Sequence, residues 1–120
     1  MITGIGIDNV EISRIARALR QPRFAPKVLT KAELTRYENL ASLSRRSEFL
    51  AGRWAAKEAF AKAYGTGISS KLDFLDLEIA QDSQGRPYFL QQPLDKGLAQ
   101  LSISHSDLEA MAFVVLTKEE

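Results

Sequence analysis

Cysteine is missing from all 120 residues, which excludes disulfide cross-links, thiolate metal centres and thiol nucleophiles. Histidine occurs once, at His105, so multi-histidine metal sites are excluded as well. No apolar run approaches the roughly 18 residues that cross a bilayer. Met1-Ile-Thr-Gly4 also lacks the basic start and apolar stretch of a secretory leader. The expectation is a cytoplasmic protein with no membrane contact. A formal net charge of only +1 gives no global reason to expect a nucleic-acid binder. Repeats, linkers and low-complexity segments are absent too, so one domain should span residues 1–120.

What is there is an ordinary globular mixture, 45% apolar and 26% charged. So short a chain keeps wide apolar areas at its surface, which favours association between copies. Ile2 to Val10 reads as a strand, with Ile5 and Ile7 on one face and Gly4, Gly6 and Asp8 on the other. The glycine face lets another backbone come close. Glu11 to Arg20 carries Ile12, Ile15, Ala16 and Leu19 at helical spacing and stops before Pro22. Thr30 and Glu33 have the form of a capping box, predicting a helix from about Lys31 to Leu40. Ser44 or Ser47 starts the longest helix, which is rich in alanine and ends at Tyr64 before Gly65-Thr-Gly67. Strands are predicted at Phe74–Ala80, Tyr88–Leu90, Ala99–Ser104 and Ala110–Leu116. The fold class is α+β, a long helix packed on an antiparallel sheet.

Gly4-Ile-Gly-Ile-Asp8 is not a dinucleotide fingerprint, because the third glycine is missing and both glycines lie within the strand. Asp8 reads either as a cap on the following helix or as a carboxylate that needs a cation or donors nearby. Glu58 and Lys62, four apart, share a helix face, as do Arg53 and Lys57; such pairs read as surface stabilisers or as site residues. With Asp8 added, two carboxylates stand beside several cations. That is what magnesium on a diphosphate requires, since the ion takes one or two carboxylates together with waters and phosphate oxygens. By strand parity His105 shares a face with Leu101 and Ile103, which suits a core histidine; the serines around it could equally donate to phosphate oxygens. Ile12 to Leu29 holds Arg14, Arg17, Arg20, Arg23 and Lys27 and no acid. Arg14, Arg17 and Arg20 form a helical stripe without counter-charge, as a docking surface for an acidic partner would.

Three blocks resemble the holo-acyl-carrier-protein synthases of the 4'-phosphopantetheinyl transferase family, and the similarity spans nearly the whole chain. They are Gly4-Ile-Gly-Ile-Asp8 with Glu11 and Arg14, then Phe49 through Arg53, Lys57, Glu58 and Lys62 to Gly67, then Ser102-Ile-Ser-His105-Ser106. Gly85-Arg-Pro87 is a fourth, minor match. The resemblance implies transfer of 4'-phosphopantetheine from coenzyme A to a serine of an apo-acyl carrier protein, in support of fatty acid biosynthesis. Asp8 and Glu58 would hold magnesium on the diphosphate, and Lys62 would neutralise the transferring phosphate. Arg53 and His105, helped by Arg45 or Arg46, would contact the nucleotide's phosphates, with Gly65 and Ser106 also beside coenzyme A. Arg14, Arg17 and Arg20 would receive the acidic carrier protein. The family's homotrimers, with a site at each subunit boundary, imply that Asp8 and Glu58 face a neighbouring chain. The base that takes the serine proton is open between Asp8, Glu58 and a metal-bound water. Asn9, Trp54 and Tyr64 depart from the family pattern. The rival reading is a non-enzymatic nucleotide-binding or scaffold module; a nucleic-acid binder lacks the interleaved aromatics.

Overall fold

Two glycines decide how closely the first strand and the longest helix meet. A computed structural model describes residues 1–119. In chain order it contains β1 (Ile2–Glu11), α1 (Ile12–Ala18), α2 (Phe24–Val28), α3 (Lys31–Glu38), α4 (Leu43–Tyr64), β2 (Glu78–Gln81), β3 (Pro87–Gln91), β4 (Gly97–His105) and β5 (Glu109–Lys118). A Cβ on Gly4 would overlap the carbonyl oxygen of Ala63, and one on Gly6 would overlap that of Ala59. The backbones of β1 and α4 therefore touch directly, which only glycine on one side and a small-residue helix face on the other allow. Ala51, Ala55, Ala56 and Ala59 are fully buried along that helix.

The antiparallel sheet has the order β1-β5-β4, and a separate ribbon pairs β2 with β3. The first and last strands of the chain thus lie side by side, with Gly6 opposite Val114 and Asp8 opposite Ala112. Alternation along β5 sends Ala110, Ala112, Val114 and Leu116 into the core beneath α4. The same alternation leaves Ile5, Ile7, Met111 and Phe113 exposed on the sheet's other face. One face is covered and the other is an open apolar surface.

The α+β class with a long helix on an antiparallel sheet holds, and several boundaries move for identifiable reasons. The capping box is present: Thr30 Oγ1 accepts from the Glu33 amide and Glu33 Oε1 accepts from the Thr30 amide. α4 begins earlier than Ser44 because Ser42 caps it, its Oγ accepting from the Arg45 amide at 3.1 Å. It ends where predicted, with Gly65 left-handed at φ 99°. Helix α2 was not foreseen. The strand expected from Phe74 begins only at Glu78. Residues Phe74–Asp76 form a 3-10 turn instead, because Asp73 Oδ1 accepts from the Leu75 amide while Asp76 Oδ2 accepts from the Asp73 amide. Short acidic side chains offered the backbone partners that a strand would have used.

Candidate active site

Asp8, near the end of β1, reaches the flank of α4 just beyond the glycine contact. Lys62 Nζ lies 3.1 Å from Asp8 Oδ1 and donates to the Ile7 carbonyl at 3.0 Å. The Asp8 side chain is 15% exposed and that of Lys62 52%, so the ammonium group still faces solvent. Glu58 sits one helical turn before Lys62. Its carboxyl is held above its ordinary value by burial and then by the charge of Asp8, while Lys62 and Arg14 pull it down. Two residues 50 positions apart in sequence therefore share one electrostatic site, with Arg14 of α1 within range. Among the described residues no three acidic or imidazole groups converge as a metal centre. The acid pair suits an ion that takes few protein ligands, as magnesium does. A bound cation would relieve the repulsion by which Asp8 raises the Glu58 carboxyl.

A second cluster lies on another side of α4. A cavity of about 350 Å³ is lined by Arg36, Arg45, Arg53 and His105, with Gln81 and the Gly85–Pro87 turn opposite. Glu48 is the one carboxylate among its lining residues, and Glu33, outside that lining, lies 3.9 Å from Arg53 Nε. Arg53 is only 6% exposed, and its Nε has no hydrogen-bond partner. Burial, with a smaller contribution from the charge of Arg36, lowers the Arg53 guanidinium to about 10 despite the support of Glu33. His105 follows the parity of Ile103, yet it lies past the region that α4 covers and is exposed at the cavity rim. Of the two adjacent arginines the structure separates Arg45, which lines the cavity, from Arg46, which donates to the carbonyls of Leu40 and Glu38.

Gly65 follows α4 three residues past Lys62 and has open space around its Cα. Ser106 adjoins His105, but its hydroxyl accepts from the amides of Leu108 and Glu109 and so closes the β4–β5 turn. Ser102 and Ser104 point to the open sheet face, away from the histidine's side. Arg14, Arg17 and Arg20 are all exposed, Arg20 just beyond the end of α1.

The 4'-phosphopantetheinyl transferase superfamily model matches residues 4–115. The holo-[acyl-carrier-protein] synthase of Lactococcus lactis subsp. cremoris is 59% identical over 98% of this chain and 99% of its own. That of Bacillus subtilis is 49% identical over 98% of each. The chain belongs to the 4'-phosphopantetheinyl transferase superfamily. Within that family, the crystal structure of a Bacillus anthracis holo-(acyl-carrier-protein) synthase in complex with CoA (3',5'-ADP) is similar to this fold. It has a TM-score of 0.91 and 44% identity, covering 99% of both chains.

Three features of this family member escaped sequence reasoning. Lys57 is fully buried rather than a surface partner, donating to Glu33 Oε1 at 2.6 Å and to the Val28 carbonyl at 2.7 Å. Glu33, beyond its capping role, also accepts from the Ile79 amide at 2.8 Å and lies 3.9 Å from Arg53 Nε. One carboxylate thus ties α3, α4 and β2 together beneath the arginine cavity. The capping box was the only sequence signal for Glu33. Arg36 and Gln81 carried no signal at all, because only the fold brings them to one cavity. The third feature is a groove of about 950 Å³, where Trp54 packs between Phe24 and Phe74 at centroid distances of 5.7 and 4.8 Å. Arg23 and Lys27 also line it.

Proposed function

We propose that this protein transfers 4'-phosphopantetheine from coenzyme A to a serine hydroxyl of an apo-acyl carrier protein, releasing adenosine 3',5'-bisphosphate. The observation that carries the reading is the pairing of two anion-handling clusters on one small fold: an acid pair with Lys62, and a cavity of arginines. Coenzyme A has a diphosphate for the first and a separate phosphate monoester for the second. A non-enzymatic scaffold has no use for a carboxylate pair whose charges repel.

Asp8 and Glu58 would hold magnesium, which supplies Lewis-acid neutralisation of the diphosphate when bound. Lys62, anchored through Asp8 and the Ile7 carbonyl, would neutralise charge on the transferring phosphate. The carrier serine attacks that phosphorus, the bond to the bridging oxygen breaks, and the serine proton is taken up at the carboxylate cluster. Such a transfer depends mostly on positioning and charge neutralisation, and these residues provide both. Arg14, Arg17 and Arg20 would receive the acidic carrier protein. The Trp54 groove, with Arg23 and Lys27 beside it, would take apolar side chains of the same partner.

Arg53 and Glu58 lie five positions apart on α4, about 140° around its axis. Because the two clusters face different directions, a second copy would complete each site. The exposed Ile5, Ile7, Met111 and Phe113 supply an apolar surface for a homotrimer with active sites at its subunit boundaries. The cytoplasm, where carrier proteins and coenzyme A meet in fatty acid biosynthesis, is the matching location.

Mass spectrometry of an apo carrier protein incubated with this protein, coenzyme A and magnesium tests the reading. The expected result is the mass of one phosphopantetheine added to the serine. An unmodified carrier at high enzyme concentration, with or without magnesium, would overturn it.

A further inference from the structure

A further cavity, of about 550 Å³, opens where the starts of α1 and α4 meet the β4–β5 turn, and the proposed transfer makes no use of it. Its charge is the opposite of the arginine cavity's. Glu11, Glu48, Asp107 and Glu109 line it, and no lysine or arginine does. Among the described residues none of these four carboxylates is paired with a lysine or arginine. The sheet register adds to the excess, because Glu11 of β1 stands directly opposite Glu109 of β5. Like charges at opposite positions destabilise a strand pair. Asn9 Nδ2 nevertheless holds Glu109 in place, donating to its Oε1 at 3.2 Å. The Ile12 amide donates to the Leu108 carbonyl at 2.9 Å, which fixes the turn against the start of α1.

A second, independent feature points into the same space. Leu43, Ser44, Ser47 and Glu48 share one face of α4, and that face forms a wall of the cavity. Ser47 is 2% exposed, and its Oγ has no hydrogen-bond partner. A buried hydroxyl left in that state costs free energy until something supplies the partner. Ile12 and Ala16 of α1 add apolar surface beside it. An ammonium group on an aliphatic stem answers all three features. It donates hydrogen bonds, brings the missing positive charge and lays its methylenes on apolar surface. A single metal ion suits the cavity less well, because among the described residues no three acidic groups converge as ligands. A linear diamine, charged at both ends, reaches carboxylates too dispersed to share one ion.

We propose that this cavity binds a linear alkyl diamine or polyamine, with Ser47 Oγ accepting from one ammonium group and the opposed Glu11 and Glu109 neutralised by its charge. The site stands independently of the transferase reading.

Calorimetry and thermal unfolding in low salt and chelator test it, with putrescine, n-butylamine and n-butanol as probes. A hydrogen bond to a charged group corresponds to about a tenfold change in affinity, so Ser47→Ala should bind putrescine about tenfold more weakly. That change removes an unpaired hydroxyl from a helix and spares the fold. Glu11→Gln relieves the cross-strand repulsion, so it should raise the ligand-free Tm while weakening putrescine by about threefold. The single charge of n-butylamine should bind more weakly than putrescine, and the uncharged n-butanol should not bind. Glu58→Gln, which alters the other acid pair, should leave putrescine affinity unchanged. A wild type that shows no putrescine binding at millimolar concentration overturns the proposal. So does an affinity that survives in both Ser47→Ala and Glu11→Gln, or one that is lost in Glu58→Gln. A Tm shift that sodium chloride reproduces at equal ionic strength is screening alone and overturns it too.

Discussion

Gly6→Ala converts the closest approach in this fold into a clash whose consequences reach the active site. The added Cβ would overlap the Ala59 carbonyl oxygen and stand 2.8 Å from the Ala63 amide nitrogen and 3.0 Å from the Ala59 carbonyl carbon. All three are backbone atoms of α4, so no side chain can rotate out of the way. Carbon contacts settle at about 3.5–4.0 Å, so β1 must retreat from the helix by on the order of 1 Å. That retreat strains the register of β1 with β5, which runs from Ile2 to Glu11. Overpacking of this kind typically costs 1–3 kcal/mol, and the rigidity of both partners puts this case at about 3 kcal/mol. For a domain of this size that corresponds to a fall in Tm of roughly 10 °C. The same retreat carries Asp8, two residues on, away from Lys62 and Glu58. A 1 Å misplacement of a reacting group costs about a hundredfold in rate, so turnover should fall well below what the lost stability explains at 25 °C. Thermal unfolding by circular dichroism and turnover with saturating magnesium provide the two readouts. Gly52→Ala is the control: its Cβ meets only Ile103 Cγ2 at 3.4 Å, and helix propensity gains about 1 kcal/mol. Its Tm should hold or rise. Wild-type stability and wild-type turnover in Gly6→Ala would refute the reasoning.

Removing the carboxylate of Glu33 leaves Lys57 buried without a counter-charge and strips a partner from the amides of Thr30 and Ile79. Glu33→Ala should lose about 3–5 kcal/mol in urea denaturation, and a loss below about 1 kcal/mol would contradict the network. Folding raises the Glu58 carboxyl above its ordinary value, so the folded chain binds a proton there more readily than the unfolded chain. The metal-free fold therefore weakens as pH rises through that raised value. Glu58→Gln in chelator at pH 7 should match or exceed the wild-type Tm while losing the stabilisation that magnesium gives; a lower Tm with magnesium stabilisation intact would count against the metal assignment. Arg14 acts on Glu58, so the docking stripe is better probed further out. Arg17→Glu should raise the KM for the carrier protein and leave the KM for coenzyme A nearly unchanged, and the reverse pattern would remove Arg17 from the docking surface.

By itself the sequence determined whatever depends on local geometry. The alternation of Gly4, Ile5, Gly6 and Ile7 defined the faces of a strand, the spacing of Thr30 and Glu33 a helix start, and Gly65 a helix end, because each is written within a few residues of chain. The α+β class followed from those pieces, and the clustering of Asp8, Glu58 and Lys62 was inferred from residue chemistry and a family likeness. Only the tertiary structure decided which charged pairs on α4 were surface and which were core. Arg53 and Lys57 have the same spacing as Glu58 and Lys62, yet the first pair is buried against Glu33 and the second flanks Asp8 beside solvent. A helix presents both faces with the same periodicity, and what covers each face comes from segments distant in sequence. The same reason hid the approach of Arg36 and Gln81, 45 residues apart, and the 3-10 turn at Phe74, where two aspartates outcompeted a strand.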